Sequence, residues 1–489
     1  VPRRRGAGRE HALPERAESV VSGTDDREVD VVVSGTDDRE VDVVVVGAGP
    51  AGENAAGRCA DGGLRVAIVE RELVGGECSY WGCMPSKVLI RPGDVRAAAR
   101  RVPGVGVGGI DVAAVLARRD EATGSWHDDG QLPWLAERGI TLLRGHGRLA
   151  GERAVEVEHP DGTTTTVRAA RAVVLATGTR AVVPPIDGLG DAEPWDNRDV
   201  TAADHIPARL LVLGGGAVGA EMAQAFRRLG AAEVTVLEGG DRLVAREEPF
   251  AGEDLAEAFA AEGITVHTGV KVVAVHRDGD VTATLADGRT VTGEEILVAV
   301  GRRPSTGDLG LDTVGLTPGK PVEVGDDLRV PGSGWLYAVG DCNGRSLLTH
   351  MGKYQARIAA DVIAGKPARA HGVTPRVTFT DPQVCAVGLT EEAARAAGHD
   401  VRCVQVPTGG VAGAWTQGSP FRGTSKLVVD AGRRVLLGAT FTGPGVQELL
   451  HAATVAIAGE VTLDRLWHAV PSFPTVSEVW LRLLEEYGL

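Results

Sequence analysis

Val43-Val44-Val45-Val46-Gly47-Ala48-Gly49-Pro50-Ala51-Gly52 runs an apolar stretch into three glycines and then into the Ala-containing segment 53–61. A short β-branched run closed by glycine reads as a buried strand, and the alanine-rich residues beyond it as a helix. In that order the glycines have separate tasks. Gly47 allows the tight turn, Gly49 lets a pyrophosphate approach the backbone, and Gly52 lets helix and strand pack closely. The next apolar run, Leu64–Val69, ends at Glu70, where a carboxylate can accept ribose hydroxyls. Strand, glycine loop, helix and acid together predict a dinucleotide-binding βαβ unit.

The pattern returns at Leu210-Leu-Val-Leu-Gly214-Gly-Gly216-Ala-Val-Gly219, followed by a strand Glu233–Leu237 and Glu238. An acid at that place accepts the free 2′-hydroxyl of NAD and repels the 2′-phosphate of NADP. Arg242, four residues on, opposes this in part, so NADH is expected ahead of NADPH. Two such units imply two dinucleotides or one duplicated ancestor. One firmly held flavin (FAD) and one exchanging nicotinamide is the economical reading, because electrons then have a donor and a store.

Outward from these units, Val/Ile/Leu runs alternate with helical stretches from Val41 onward, as in doubly wound α/β sheets. Residues 140–176 carry short strands and an Asp161-Gly162 turn, an antiparallel excursion. Pro184-Pro185 marks a connection. From about residue 372 the pattern becomes strands followed by amphipathic helices, an α+β domain. The segment Ser22–Val33 recurs as Ser34–Val45. Only the second copy runs into glycines, so it is expected to supply the first core strand. The first copy has no functional reading, and residues 1 to about 40 read as disordered.

A length of 489 residues suggests about three domains. A net charge of −15 disfavours nucleic acid and anionic membrane surfaces as partners. No apolar run approaches the roughly 20 residues a spanning helix needs, and no secretory signal is read. Of six cysteines, Cys59, Cys342, Cys385 and Cys403 are isolated and read as small buried hydrophobes. That usage predicts a reducing, cytoplasmic setting.

The remaining two form a close pair in Gly75-Gly-Glu-Cys78-Ser-Tyr-Trp-Gly-Cys83-Met-Pro-Ser-Lys87. Five residues of regular helix rise about 7.5 Å, more than the roughly 4.4–6.8 Å between Cα atoms of a disulfide. The pair can bridge only if the helix is unwound near Cys78, which Gly75, Gly76 and Gly82 make feasible. Two thiolates without a neighbouring Cys/His pair complete no tetrahedral metal site. Two unlinked buried thiols are the alternative reading.

This stretch resembles the active-site signature of the class I pyridine nucleotide-disulfide oxidoreductases. The family includes dihydrolipoamide dehydrogenases, glutathione reductases and mercuric reductases. Ala176-Thr177-Gly178, Gly301-Arg302-Arg303-Pro304, Ala338-Val-Gly340-Asp341 and the run from Phe379 to Gly388 extend the likeness from about Val41 to the C-terminus. The resemblance implies two Rossmann-like domains and a C-terminal α+β dimerisation domain. It divides the chain into an FAD-binding domain split over 41–182 and 305–370, an NAD-binding domain at 183–304 and a dimer-interface domain at 371–489. It further implies a homodimer. Hydride would pass from the nicotinamide to FAD and electrons on to a Cys78–Cys83 disulfide, with Cys83 against the flavin and Cys78 exchanging with substrate. Asp341 would bond the flavin ribityl chain, and Lys87 would pair with Glu221 beside the ring.

One element departs from the family. Its interface domain ends in His-Pro-Thr-x-x-Glu, whose His–Glu dyad serves the exchange thiol of the partner subunit. Here the stretch reads Phe473-Pro474-Thr475-Val-Ser-Glu478. Phenylalanine carries no proton, whereas thiol exchange needs a thiolate attacker and a protonated leaving group. His468 is the nearest histidine upstream, and reads as a helix-surface residue. The acceptor is therefore a disulfide or another electrophile. Reduction of a quinone, metal ion or carbon electrophile is the first alternative, and a low-turnover flavin redox sensor the second. Trp126-His127-Asp128-Asp129 reads as helix rather than as a metal or acid/base cluster, and His350 as a satisfied core histidine. Tyr80 and Trp81 either shape a substrate pocket or pack under the flavin.

Overall fold

The computed structural model describes residues 39–489. Of the segment expected to be disordered, residues 1–38 and with them the first repeat copy lie outside the described residues. Arg39 and Glu40 already pair in a sheet.

Strand β1 (Arg39–Val46) lies between β2 (Val66–Glu70) and the long β6 (Thr164–Leu175), with β3 (Thr141–Arg144) beyond β2, all parallel. β4 (His146–Leu149) and β5 (Ala154–Glu158) form the antiparallel excursion: β5 pairs with the first half of β6 and β4 lies outside it against β5. Val43, Val44 and Val45 are fully buried because side chains of both β1 faces enter cores. This explains a run of valines rather than an alternation. Helix α1 (Pro50–Asp61) follows, with Gly49 as its cap and proline at its first position. Its close seat on β1 requires Gly52, where a Cβ would lie 1.8 Å from the Gly47 carbonyl oxygen.

β7 (Thr179–Ala181) leaves this sheet. A second parallel sheet follows in the order β10-β9-β8-β14, from β8 (Arg209–Leu213), β9 (Glu233–Leu237), β10 (Ile264–His267) and β14 (Glu295–Val298). Between β10 and β14, strands β11 (Val272–Asp278), β12 (Asp280–Leu285) and β13 (Thr290–Gly293) form an antiparallel layer on one face. β15 (Arg302–Pro304) pairs antiparallel with β7, so the outgoing and returning chains run side by side. β16 (Leu336–Ala338) then joins the second half of β6 in parallel. The C-terminal sheet is antiparallel, in the order β17-β18-β21-β20-β19. Its members are β17 (Pro375–Thr378), β18 (Gln383–Gly388), β19 (Val401–Pro407), β20 (Thr424–Asp430) and β21 (Val435–Gly443).

Register positions the site. Val46 pairs with Val69 and with Leu175, and Ala338 also pairs with Leu175. Gly47, Glu70, Ala176 and Val339 therefore emerge together at the carboxyl ends of four parallel strands. In open α/β sheets that edge is where ligands bind.

Candidate active site

A cleft of about 410 Å³ opens at this edge, bordered by Gly47, Gly49, Glu70, Cys78, Thr177 and Asp341 among others. Gly47 has φ +100°, and a Cβ there would lie 2.6 Å from the Ala176 carbonyl oxygen. Glu70 first secures the glycine loop. Its Oε2 accepts the Ala48 N–H at 2.7 Å and its Oε1 the Glu72 N–H at 2.8 Å. Burial raises its pKa, against those two N–H donors. Each oxygen keeps a lone pair for the ribose expected there.

The second unit repeats the device. Gly219 seats α4 (Ala217–Leu229) on β8, where a Cβ would lie 1.9 Å from the Gly214 carbonyl oxygen. Gly216 caps that helix, and Glu238 accepts the N–H of Gly215 and, at 2.6 Å, of Gly240. Arg242 points to its own loop, bonding the Ala245 carbonyl at 3.0 Å.

The cysteines stand on two helices, α2 (Gly76–Tyr80) and α3 (Cys83–Arg101). Unwinding was expected near Cys78, but Cys78 is helical. The break falls at Trp81-Gly82, just before Cys83, where Gly82 takes φ −134°, ψ −109°. A Cβ on Gly82 would meet the Glu77 carbonyl oxygen at 3.0 Å, which explains glycine at the reversal. Both cysteines are free thiols. Interaction between the two sulfurs holds Cys83 below the usual thiol range, helped by the Thr349 hydroxyl and the Lys87 ammonium, and raises Cys78. Cys83 Sγ lies 3.2 Å from Thr349 Oγ1, at the first residue of α5 (Thr349–Ile363). Cys83 also begins α3, where a helix N-terminus favours a thiolate.

One turn along α3, Lys87 Nζ lies 2.7 Å from Glu221 Oε2 on α4 and 4.7 Å above the Phe379 ring. Glu221 is buried, and its Oε1 accepts the Phe379 N–H at 2.9 Å. Helices from both parallel sheets and the β17–β18 connection thus meet beneath Cys83.

A polar network missed from the sequence fixes the other side. Arg302 donates to Asn197 Oδ1 and to Thr179 Oγ1, each at 2.8 Å, and to Glu77 Oε2 at 3.3 Å. The Thr179 hydroxyl then donates to Asp341 Oδ2 at 2.8 Å, and burial raises the Asp341 carboxyl. Gly178 (φ +67°) and Gly301 (φ +142°) supply the bends at this joint. Their carbonyls accept the Ser305 and Val182 N–H groups at 3.0 and 3.1 Å. The signal was present: Glu77 precedes the first cysteine and Arg302 sits in the Gly-Arg-Arg-Pro stretch. Only the fold places Asn197 and Thr179 between them. Arg198 stacks 4.0 Å over Trp81 and also bonds Glu77.

The expected helix at Trp126–Asp129 is instead a single 3-10 turn, Gly124–Trp126, followed by extended chain. That course buries Asp128, which accepts the Val74 N–H at 2.7 Å and pairs with Arg144. Trp126 Nε1 donates to the Tyr80 carbonyl at 3.2 Å. Tyr80 and Trp81 pack with Leu73 and Trp126, bracing the cysteine segment from behind. His350 is no core residue; it is exposed and bonds the Pro375 carbonyl at 2.8 Å. Cys403, expected buried, is only half-buried. No group of three or more His, Cys, Asp or Glu suited to a metal occurs among the described residues.

Phe473 is 77% exposed, close to Val470 at 84% and on the same domain as Trp415 at 80%. Glu478 is buried instead, accepting the Gly413 N–H at 3.3 Å. A Cβ on Gly413 would overlap the Thr475 backbone, so this segment packs directly against the Phe473 loop. His468 is exposed.

The glycine cradles and their acids fit one dinucleotide on each of the two parallel sheets. Comparison with known proteins agrees. Residues 41–360 match the family model described as pyridine nucleotide-disulphide oxidoreductase, and residues 374–483 its dimerisation domain. The chain is 35% identical over 449 residues to a dihydrolipoyl dehydrogenase of Thermus scotoductus, covering 88% of this chain and 94% of that one. It is 29% identical over 443 residues to a mercuric reductase of Staphylococcus aureus, covering 88% and 80%. Among solved structures, LpdA of Mycobacterium tuberculosis superposes with a TM-score of 0.83 at 27% identity, covering 92% of this chain and 100% of that one. No helix among the described residues is long and apolar enough to cross a membrane.

Proposed function

Since this chain belongs to the pyridine nucleotide-disulphide oxidoreductase family, we propose that Cys78 and Cys83 are the couple through which its electrons reach an acceptor. The enzyme is an FAD- and NAD(P)-dependent oxidoreductase; the residue roles are our assignment. The observation that carries it is the position of Cys78 in the lining of the glycine-bordered cleft, with Cys83 3.2 Å from Thr349 Oγ1 and one helical turn from the Lys87–Glu221 pair.

When bound, the flavin supplies a two-electron relay between nicotinamide and thiols. Gly47, Gly49, Gly52 and Glu70 hold its dinucleotide part, and Thr177, Gly178 and Asp341 the chain leading to its ring. Lys87, fixed by Glu221, places a cation where negative charge arrives. Lys87→Met is expected to slow anaerobic reduction by NADH about 100-fold with flavin content unchanged, as stopped-flow absorbance will show. Gly214, Gly216, Gly219 and Glu238 hold the nicotinamide dinucleotide, with NADH preferred. In Glu238→Ala the preference for NADH over NADPH is expected to fall about tenfold or more, measured as the ratio of kcat/KM values.

The acceptor is a disulfide or another electrophile. Phe473 favours one that needs no imidazole at the exchange thiol, which keeps quinone, metal-ion and carbon-electrophile reduction as a second reading. Val470, Phe473 and Trp415 suit a homodimer in which one subunit's Phe473 faces the partner's Cys78. A screen of NADH oxidation against lipoamide, glutathione disulfide, quinones and metal ions, with Cys78→Ala as control, tests the assignment. Turnover that ignores the control would remove the cysteines from the route.

A further inference from the structure

Cys78 and Cys83 stand on separate helices, so the chain between them does not by itself hold their sulfurs together. Trp81 leaves helical geometry at φ −138°, and Gly82 completes the reversal. α2 has only five residues, far too few to be stable alone. Tyr80 and Trp81 brace it from behind, and something must seat its other side, where Glu77 lines the cleft. We propose that Glu77 is a positioning residue, whose carboxylate docks α2 and so keeps the Cys78 sulfur where Cys83 can reach it. The inference rests on the thiol assignment above.

The two carboxylate oxygens accept from three side chains. Oε1 accepts from Arg198 Nε at 2.5 Å, and Oε2 from Asn197 Nδ2 at 2.8 Å and from Arg302 at 3.3 Å. Asn197 Nδ2 also donates to the Trp81 carbonyl at 3.0 Å. Arg198 lies 4.0 Å over the Trp81 ring and holds both Glu72 oxygens, at 3.1 and 2.8 Å. Both ends of the segment from Glu77 to Trp81 are therefore gripped by the same two adjacent residues.

Those residues are fixed in their turn. They open the short helix Asn197–Ala202, whose cap Asp196 accepts the Arg198 N–H at 2.6 Å. One residue earlier, the Trp195 N–H donates to the Ile296 carbonyl and the Trp195 carbonyl accepts the Val298 N–H, each at 2.8 Å. Trp195 thus extends the second parallel sheet beside β14. Arg302 comes from β15, on the chain returning from that sheet. The dock belongs to the second sheet, and Glu77 is the side chain of α2 that reaches it.

This place calls for a carboxylate. An amide of the same shape has one acceptor oxygen, and its NH₂ group would face a donor. Glu77 and Arg198 are both shielded in part from solvent, where charge-assisted hydrogen bonds hold geometry best.

The step that depends on the dock is the resolving one. Exchange with a disulfide RSSR leaves Cys78 joined to SR. The Cys83 thiolate then attacks the Cys78 sulfur: the bond between the two cysteine sulfurs forms, the bond from Cys78 to SR breaks, and RS⁻ leaves with the electron pair. The two electrons passed to RSSR are those that NAD(P)H restores. An attack between two held sulfurs is fast only while they stay aligned.

The test uses flavin-loaded enzyme, reduced anaerobically with NADH and mixed with 2-hydroxyethyl disulfide. Thiol release is followed in time, and acid-quenched samples are weighed by mass spectrometry. In the wild type both 2-mercaptoethanol molecules are expected to leave together, with no adduct accumulating. Glu77→Gln is expected to slow the second release relative to the first about 10–100-fold, with the adduct collecting on Cys78. Arg198→Met should do the same, and the double variant no more than the slower single one, because both cut one pair. A Glu77 that serves stability alone would lower Tm and leave the ratio of second to first release unaltered, which overturns the proposal. Should Glu77→Gln lose its flavin, Arg198→Met decides by the same ratio. Cys83→Ala checks the premise by trapping the adduct on Cys78; if none forms there, the thiol assignment fails instead.

Discussion

Cys78→Ala is expected to lose turnover of disulfide acceptors by at least about 10³-fold, the scale on which removal of a nucleophile acts. Its anaerobic reduction by NADH should stay within a few-fold of the wild type. The reason is the division of labour between the thiols. Cys83 is held near the cleft by Thr349 and favoured as a thiolate by the Lys87 ammonium, while Cys78 lies among the cleft-lining residues. In the proposed roles, removing Cys78 deletes the group that meets the acceptor and leaves the flavin-facing sulfur in place. Steady-state assays with lipoamide and stopped-flow reduction, run on one preparation, read the two effects separately. Equal losses in both would mean that Cys78 is needed for cofactor seating rather than exchange.

A matched pair of glycine substitutions is expected to separate the two dinucleotide sites. In Gly52→Val the new Cβ would lie 1.8 Å from a backbone oxygen, and in Gly219→Val 1.9 Å from its counterpart. Backbone cannot move aside as a side chain can, so each helix must lift off its strand, at a cost of at least about 1–3 kcal/mol. Gly52→Val should therefore purify without flavin, because the helix that receives the pyrophosphate is displaced. Gly219→Val should remain yellow and lose reduction by NADH, while dithionite still bleaches it. Flavin absorbance per mole of protein and NADH-dependent bleaching distinguish the outcomes. A colourless Gly219→Val would place the flavin on the second sheet.

The glycine-bounded valine run was enough to identify the first βαβ unit, because a strand buried on both faces leaves a continuous apolar record. Lys87 and Glu221 were also reachable, through the resemblance that their segments carry. What the sequence hid was of two kinds. Short polar residues far apart in the chain, Glu77, Thr179, Asn197 and Arg302, meet only where β7 and β15 run side by side. Local irregularity was the other. The chain around Trp126 looked helical, yet burying Asp128 against the Val74 N–H and Arg144 outweighed that preference. The break between the cysteines was foreseen, but its place was not: Gly75 and Gly76 bend the entry to α2, whereas Gly82 makes the reversal.

The central claim is that the two thiols lie within electron reach of the flavin. The direct measurement is a stopped-flow spectrum of the enzyme reduced with one equivalent of NADH, taken across a range of pH. A thiolate against oxidised flavin should add long-wavelength absorbance as the pair becomes reduced. Because Cys83 is held down at about 6, below the usual thiol range, that absorbance should persist through neutral pH and fade as pH falls through about 6. Bleaching with no such absorbance, and with no thiol newly open to iodoacetamide, would contradict the account.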